Sequence, residues 1–191
     1  MKFFCGFLAT CFIASANYVI NEWLDAEFDK YHPSKKNRSV VTEDVKKEVV
    51  YSIWISMTVF GIGISLVVNI PFTVMCIWLW TMGIVYNVKP IRLKDIAFFD
   101  VLTESINNAI RFLMGWFIVA KAVLPPCSII FGYWMAGAFL MAIKRYAEMR
   151  MIDDKTVAGN YRKSFKYYTE NSLLISAFSM QCVQYFLSVF S

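Results

Sequence analysis

Asn17, Asn21, Asp25 and Asp29 recur every fourth residue, and on a helix of 3.6 residues per turn that spacing draws them into one slowly drifting line. Glu22 stands beside the line and Lys30 at its end. Asn21, Glu22, Asp25 and Asp29 offer side-chain oxygens of the kind that ligate a hard cation. Mg²⁺ keeps much of its water and commonly joins one or two protein carboxylates to substrate phosphates, so carboxylates one turn apart suit it. The competing reading is a solvated helix end whose acids pair with Lys30 and Lys35. Against it, the asparagines carry the line back into an apolar segment, where polar groups are costly and tend to be functional.

Further polar groups follow. The loop Lys30-Tyr31-His32-Pro33-Ser34-Lys35-Lys36-Asn37-Arg38 brings cations within reach of anything held by the carboxylates, as an anionic substrate bridged by Mg²⁺ requires. His32 alone reads as a loop residue rather than a base. Tyr86-Asn87-Val88-Lys89-Pro90-Ile91-Arg92-Leu93-Lys94 forms a second loop, and Asp100, Glu104, Asn107, Asn108 and Arg111 come after it. Positions 100, 104, 107 and 111 share a helix face. Arg111 lies deep in an apolar stretch, so it is expected to face the bundle interior and to pair with Asp100, Glu104 or a substrate phosphate. The last group is Lys144-Arg145-Tyr146-Ala147-Glu148-Met149-Arg150.

The elements that must position these groups are membrane-spanning. Of 191 residues 58% are apolar and only 17% charged, too few polar residues to coat a soluble domain of this size. Six apolar stretches are long enough to cross a ~30 Å hydrocarbon layer as helices: Phe3 to Leu24, Val49 to Val68, Pro71 to Val88, Ile96 to Val119, Pro126 to Ile143 and Tyr168 to Phe190. The pattern predicts an all-α, multi-pass bundle forming a single domain over residues 1–191, because an isolated spanning sheet could not satisfy its backbone in lipid.

Charge sets the orientation. Sixteen of the 19 Lys and Arg residues fall in the first, third and fifth connections, around Lys30 to Lys47, Lys89 to Lys94 and Lys144 to Lys166. The connections around Asn69 and around Lys121 to Pro125 hold a single Lys between them. Basic residues are retained on the cytoplasmic side, so all three polar groups are expected there. The net charge of +5 is then a topology signal, and no nucleic-acid partner is expected. Cys5, Cys11, Cys76, Cys127 and Cys182 are scattered without CxxC spacing, which predicts neither disulfide nor zinc site. Lys2, the apolar run and Ala14-Ser15-Ala16 imitate a cleavable signal, but cleavage would detach the apolar part of the helix that carries the acidic line, so the helix is expected to remain.

Asn21-Glu22-Trp23-Leu24-Asp25-Ala26-Glu27-Phe28-Asp29-Lys30, with His32-Pro33, Lys35 and Arg38 behind it, resembles the first aspartate-rich motif of the UbiA-type intramembrane prenyltransferase superfamily, N-D-x-x-D-x-x-x-D, with Glu22 in place of the first Asp. The Tyr86 loop sits where that superfamily has a Tyr-containing cytoplasmic loop. Lys144-Arg145-Tyr146-Ala147-Glu148 is similar to the K-R-Y-A-E motif of the decaprenyl-phosphate phosphoribosyltransferase branch, where two cations replace the acids of a second aspartate motif. Asp153 and Asp154 only partly replace such a motif.

The resemblance implies a Mg²⁺-dependent transferase that joins a polyprenyl phosphate to phosphoribosyl diphosphate in a bacterial-type cytoplasmic membrane. Asp25 and Asp29, helped by Asn21 and Glu22, would hold Mg²⁺ on the leaving diphosphate. Lys35, Arg38, Lys144 and Arg145 would hold phosphates. Asn17, Tyr86, Arg111, Tyr146 and Glu148 are further substrate contacts. An isoprenyl diphosphate donor acting on an aromatic or lipid acceptor is the alternative, and an inactive truncated subunit is the third. The family fold has nine helices, so the six here would correspond to helices two to seven. Association into a homo-oligomer would complete the wall of the cavity.

Overall fold

The computed structural model describes residues 1–43, 45–120, 123–152 and 154–189; Lys121, Asp153 and Phe190 lie outside the described residues. Six long helices form the bundle: α1 (Lys2–Asp29), α3 (Lys47–Val68), α4 (Ile70–Asn87), α5 (Phe99–Val119), α6 (Cys127–Met151) and α8 (Glu170–Val189). Short helices α2 (Ser39–Thr42) and α7 (Lys155–Tyr161) lie in the connections, with single 3₁₀ turns at Lys35–Asn37, Leu93–Asp95 and Lys163–Lys166. There is no strand among the described residues. Five of the six long helices are both long and apolar enough to span a membrane. The sixth, α5, has the length at 21 residues, but it carries the buried or partly buried Asp100, Glu104, Asn107 and Asn108 and the exposed Arg111.

The bundle is apolar on the outside. Phe4, Phe7, Val59, Phe60, Leu66, Ile175 and Phe178 are all exposed, an arrangement that suits lipid and not water. Inside, α1, α3, α4 and α5 enclose a core of Ala9, Ile13, Val68, Phe72, Cys76, Leu79, Ile110, Met114 and Phe117. Small residues Ala138, Ala142 and Ala177 let α6 and α8 approach each other and Val101 of α5, the usual device where packing rather than water expulsion drives helix association. The five cysteines are free.

Helix length places the acidic line. The 28 residues of α1 span roughly 42 Å at 1.5 Å per residue, against a ~30 Å apolar layer. About eight residues must project beyond it, and these are Glu22 to Asp29. The opposite end is closed by Asn69. Its Oδ1 accepts from Phe72 N at 2.9 Å as the cap of α4, and its Nδ2 donates to the Phe117 carbonyl at 2.7 Å. Asn69→Ala loses both bonds, and a loss of about 1–2 kcal/mol is expected, seen as a lower melting temperature in detergent; an unchanged transition would show the cap to be idle.

Candidate active site

The acidic line is paired at every carboxylate. Asp25 is bound by Lys94 and by Arg92 at 3.1 Å. Asp29, buried, takes Arg38 at 3.0 Å, and the same guanidinium lies 3.5 Å from Glu22. Arg92 is held in place from several sides: it donates to the Asn87 carbonyl at 3.3 Å, pairs with Asp95 at 3.3 Å and lies 4.6 Å over the Phe28 ring. Its backbone sits in the left-handed region at φ 34°, a sparsely populated conformation that persists only where the surroundings hold it. The void bounded by Asp25, Asp29, Arg92, Lys94, Tyr161 and Arg162 is about 10 Å³, roughly room for one water.

Lys94 marks a cation position. Its ammonium is held by three side-chain oxygens: Asn21 Oδ1 at 3.4 Å, Asn87 Oδ1 at 2.7 Å, and Asp25 Oδ1. Burial and neighbouring Arg92 push the Lys94 pKa down to about 8 against the pull of Asp25. A nest of hard oxygens that already holds a cation fits Mg²⁺. No group of three or more His, Cys, Asp or Glu side chains placed to hold a metal ion occurs among the described residues; Mg²⁺ ordinarily takes one or two carboxylates and completes its shell with water and phosphate.

The K-R-Y-A-E segment forms a second cluster. Arg145 is wholly buried and bonds Asp100 Oδ2 at 3.1 Å, Glu148 Oε2 at 3.1 Å, Tyr86 Oη at 3.2 Å, and Glu104. Each of its three carboxylates has an outer cation as well: Arg162 lies 3.7 Å from Asp100, Lys35 3.5 Å from Glu148 and Lys144 3.6 Å from Glu104. Tyr168 Oη and Ser164 Oγ complete the shell of Asp100 at 2.5 and 3.1 Å. Burial and the Asp100 charge push the Tyr168 phenol far up, so it remains a donor. Tyr86 Oη donates a hydrogen bond to Glu104 Oε2 at 2.8 Å.

The two clusters meet through Lys35 and Arg162. Lys35 bonds the Tyr161 hydroxyl while facing Glu148, and Arg162 both borders the Asp25 void and reaches Tyr86 Oη at 3.3 Å. Although burial opposes its charge, the surrounding Tyr86, Glu148 and Asp100 hold the Arg162 guanidinium well above its ordinary pKa. His32 is buried, with Nδ1 accepting from Ser34 N at 3.2 Å and its ring 4.7 Å from that of Tyr161. Burial and the Lys35 charge lower its pKa, so it organises the loop as a neutral ring.

Below the carboxylates lies a polar chamber of about 230 Å³ whose lining includes Asn17, Asn21, Tyr86, Glu104, Asn107 and Arg111. Asn17 Nδ2 donates to the Leu79 carbonyl at 2.7 Å, whereas the buried Oδ1 atoms of Asn17 and Asn107 have no hydrogen-bond partner among the described residues. Gly83 makes room for Asn17: a Cβ there would collide with its amide. Gly83→Ala is therefore expected to tilt Asn17 out of the chamber and to weaken donor binding about tenfold, the loss of one hydrogen bond, as read by titration of donor against the purified variant; an unchanged affinity would place Asn17 outside the site.

The sequence-derived candidates thus fall into place unevenly. Asn17, Asn21, Asp25, Asp29, Lys35, Tyr86 and Glu148 are gathered around the clusters and the chamber. Glu22 and Arg38 form a flank. Lys144 is half-exposed on Glu104, and Tyr146 packs against the α7 segment, its hydroxyl taken by exposed Arg150 at 3.1 Å. Arg111, expected to face the bundle interior and to pair, is instead exposed beside the chamber and makes no ion pair among the described residues. Asp154 caps α7 through Thr156 N at 2.7 Å, away from the carboxylates. Arg92, Lys94 and Arg162 were not singled out from the sequence, since a basic loop is already explained by topology.

The model of the UbiA prenyltransferase family matches residues 1–190. The chain belongs to the UbiA prenyltransferase family. The decaprenyl-phosphate phosphoribosyltransferase of Corynebacterium glutamicum is 26% identical over 178 residues, covering 88% of this chain and 49% of that protein. The protein of the same description from Mycolicibacterium smegmatis is 29% identical over 180 residues, covering 88% and 51%. The chain therefore spans about half the length of the curated relatives it matches. A UbiA homologue from Archaeoglobus fulgidus, solved bound to GPP and Mg²⁺, superposes with a TM-score of 0.85 at 18% identity, covering 99% of this chain and 65% of that one. The UbiA fold and its membrane character are thereby shown for this chain.

Proposed function

We propose that this UbiA-family chain carries a Mg²⁺-dependent phosphoribosyl transfer site, moving 5-phosphoribose from phosphoribosyl diphosphate to a polyprenyl phosphate at the cytoplasmic face of the membrane. The observation that carries the donor assignment is the chamber. Beneath a charged nest suited to diphosphate lies a space lined by asparagines, with two buried acceptor oxygens left unpartnered. Unpaired buried acceptors cost about 1–3 kcal/mol each, and ribose hydroxyls would satisfy them where an isoprenyl chain could not. The curated relatives named as phosphoribosyltransferases agree with this reading.

Asp25 and Asn21 are the residues that would hold Mg²⁺, which when bound would supply positive charge against the diphosphate leaving group. The chain's own residues do the rest. In the resting cluster Arg92, Lys94, Arg38 and Lys35 are neutralised by carboxylates, and the enclosed void is too small for a diphosphate. Donor binding therefore exchanges protein carboxylates for phosphate oxygens at these cations and opens the cluster. An acceptor phosphate oxygen then bonds to the anomeric carbon as the carbon–oxygen bond to pyrophosphate breaks, and the bonding pair leaves with pyrophosphate. The acceptor is already ionised at neutral pH, so no general base is needed. Arg145, saturated by protein, positions Tyr86 and Glu104 at the chamber wall.

The isoprenyl alternative is favoured by one finding, the GPP and Mg²⁺ in the Archaeoglobus homologue. Titrating phosphoribosyl diphosphate and geranyl diphosphate, each with Mg²⁺, against wild type and Asn17→Leu/Asn107→Leu separates the two. A loss of tenfold or more confined to the ribosyl donor is expected. Tighter binding of geranyl diphosphate to wild type, unaffected or improved in the variant, would overturn the assignment.

A further inference from the structure

The last turn of α6 and the first turn of α8 enclose a pocket that the transfer site does not use. It measures about 390 Å³, within the range of small-molecule sites. Its floor is apolar and buried, since Ile152, Phe165 and Tyr168 belong to the small core beside α7. Its rim is charged, with Arg150, Lys155 and Glu170 all exposed. Two cations against one carboxylate leave one positive charge in excess. Arg150 lies 4.0 Å from Glu170, a long, exposed pair of little worth, and Lys155 makes no ion pair among the described residues. Asp154, next to it, is turned to its own helix and accepts from Thr156 N at 2.7 Å. Ser172 N already bonds Thr169 Oγ1 at 3.1 Å at the start of α8, so the attraction for an anion comes from the two basic side chains.

Helix length puts this pocket at the edge of the membrane. The 20 residues of α8 span roughly 30 Å at 1.5 Å per residue, the thickness of the apolar layer, so Glu170 stands where hydrocarbon gives way to headgroups. Leu174 and Phe178 follow Glu170 at intervals of four residues and share its face, and both are exposed. On α6, Ile143 lies two turns below Arg150 and is exposed as well. A basic rim at headgroup depth above an apolar, lipid-facing wall is complementary to an amphiphile with an anionic head. A soluble anion would match the rim and leave the wall without a role.

We propose that the pocket binds an acidic phospholipid of the surrounding leaflet: its phosphodiester sits between Arg150 and Lys155, a headgroup hydroxyl reaches Glu170, and an acyl chain descends past Leu174 and Phe178. The bound lipid braces the polar end of the bundle from behind. Tyr168, in the floor of the pocket, donates to Asp100 Oδ1 at 2.5 Å and accepts from Phe98 N at 2.6 Å, and so ties the segment after α7 to a carboxylate that Arg145 serves. A headgroup packed over that floor resists the outward swing of the segment. Binding is therefore expected to raise the melting temperature of the bundle, whichever donor the protein uses.

The test follows lipid binding and needs no turnover. Full-length protein is placed in nanodiscs of phosphatidylcholine carrying increasing phosphatidylglycerol, and both the lipid retained in native mass spectrometry and the melting temperature are measured. Wild type is expected to retain phosphatidylglycerol saturably and to melt higher as it binds. Arg150→Gln/Lys155→Gln is expected to bind it about 25-fold more weakly, about fivefold for each charge removed, and to lose the melting shift while melting as wild type does in phosphatidylcholine alone. Lys155→Gln, which breaks no ion pair, is expected to show the fivefold step by itself. Lys36→Gln/Lys89→Gln removes two exposed cations outside the pocket and is expected to behave as wild type. Equal weakening in the two double variants would overturn the proposal in favour of bulk surface charge. Equal retention of phosphatidylethanolamine, an equal melting shift from inorganic phosphate alone, or no saturable phosphatidylglycerol on wild type would overturn it as well.

Discussion

Asp25→Asn is expected to abolish transfer, by at least 10²-fold, while the protein still assembles and melts as the wild type does. The substitution keeps the side chain's shape and one acceptor oxygen, so Lys94 and Arg92 retain a partner and the loop between α4 and α5 stays docked. What is lost is the negative charge with which the nest of Asn21, Asp25 and Asn87 would, on the proposed reading, hold a divalent cation in place of one ammonium. Removing a single group that stabilises developing charge typically costs 10²–10³ in rate. Raising Mg²⁺ would recover part of the activity if the defect is metal affinity. An Asp25→Asn enzyme with near wild-type rates would show that the acidic line is a solvated helix end after all.

The second large effect is on stability. Arg145→Met should destabilise the bundle by about 3–5 kcal/mol, the usual consequence of leaving a buried charge without its partner. Arg145 and Asp100 are both fully buried, and the outer cations Arg162, Lys35 and Lys144, at 3.5 to 3.7 Å, are too far out to replace a guanidinium that serves three carboxylates at once. Arg145→Lys should recover little, because one ammonium cannot span the fork. Lys144→Ala, one residue away, is the control. Its pair with Glu104 is half-exposed and 3.6 Å long, so a change of no more than ~1 kcal/mol is expected. Equal melting shifts for the two positions would remove Arg145 from the role of hub.

Much of this was readable from residue order. The four-residue spacing of Asn17 to Asp29 puts polar groups on one face whatever the rest of the chain does, and the lengths of the apolar runs fix six helices, because lipid leaves a spanning backbone no other way to satisfy itself. Boundaries moved where polar residues extend a helix past the apolar layer: α1 continues from Leu24 to Asp29 and α6 from Ile143 to Met151. Long-range pairing was not readable. Lys94 meets Asp25 across 69 residues and Arg162 meets Tyr86 across 76, and both cations lie in basic connections whose composition topology already explains. The role of Arg145 was hidden for a related reason. A lysine and an arginine side by side look equivalent as phosphate holders, yet helical geometry turns one inward among three carboxylates and leaves the other at the surface.

The central claim is that the polar end of this bundle transfers phosphoribose in a Mg²⁺-dependent manner. It is tested most directly by incubating the purified protein in lipid with labelled phosphoribosyl diphosphate and a polyprenyl phosphate, with Mg²⁺ and with EDTA, and following label into the lipid phase. Label in lipid with Mg²⁺, none with EDTA and none with Asp25→Asn is the predicted result. No lipid product from a folded, donor-binding preparation, or label transferred only when geranyl diphosphate replaces the ribosyl donor, would contradict it.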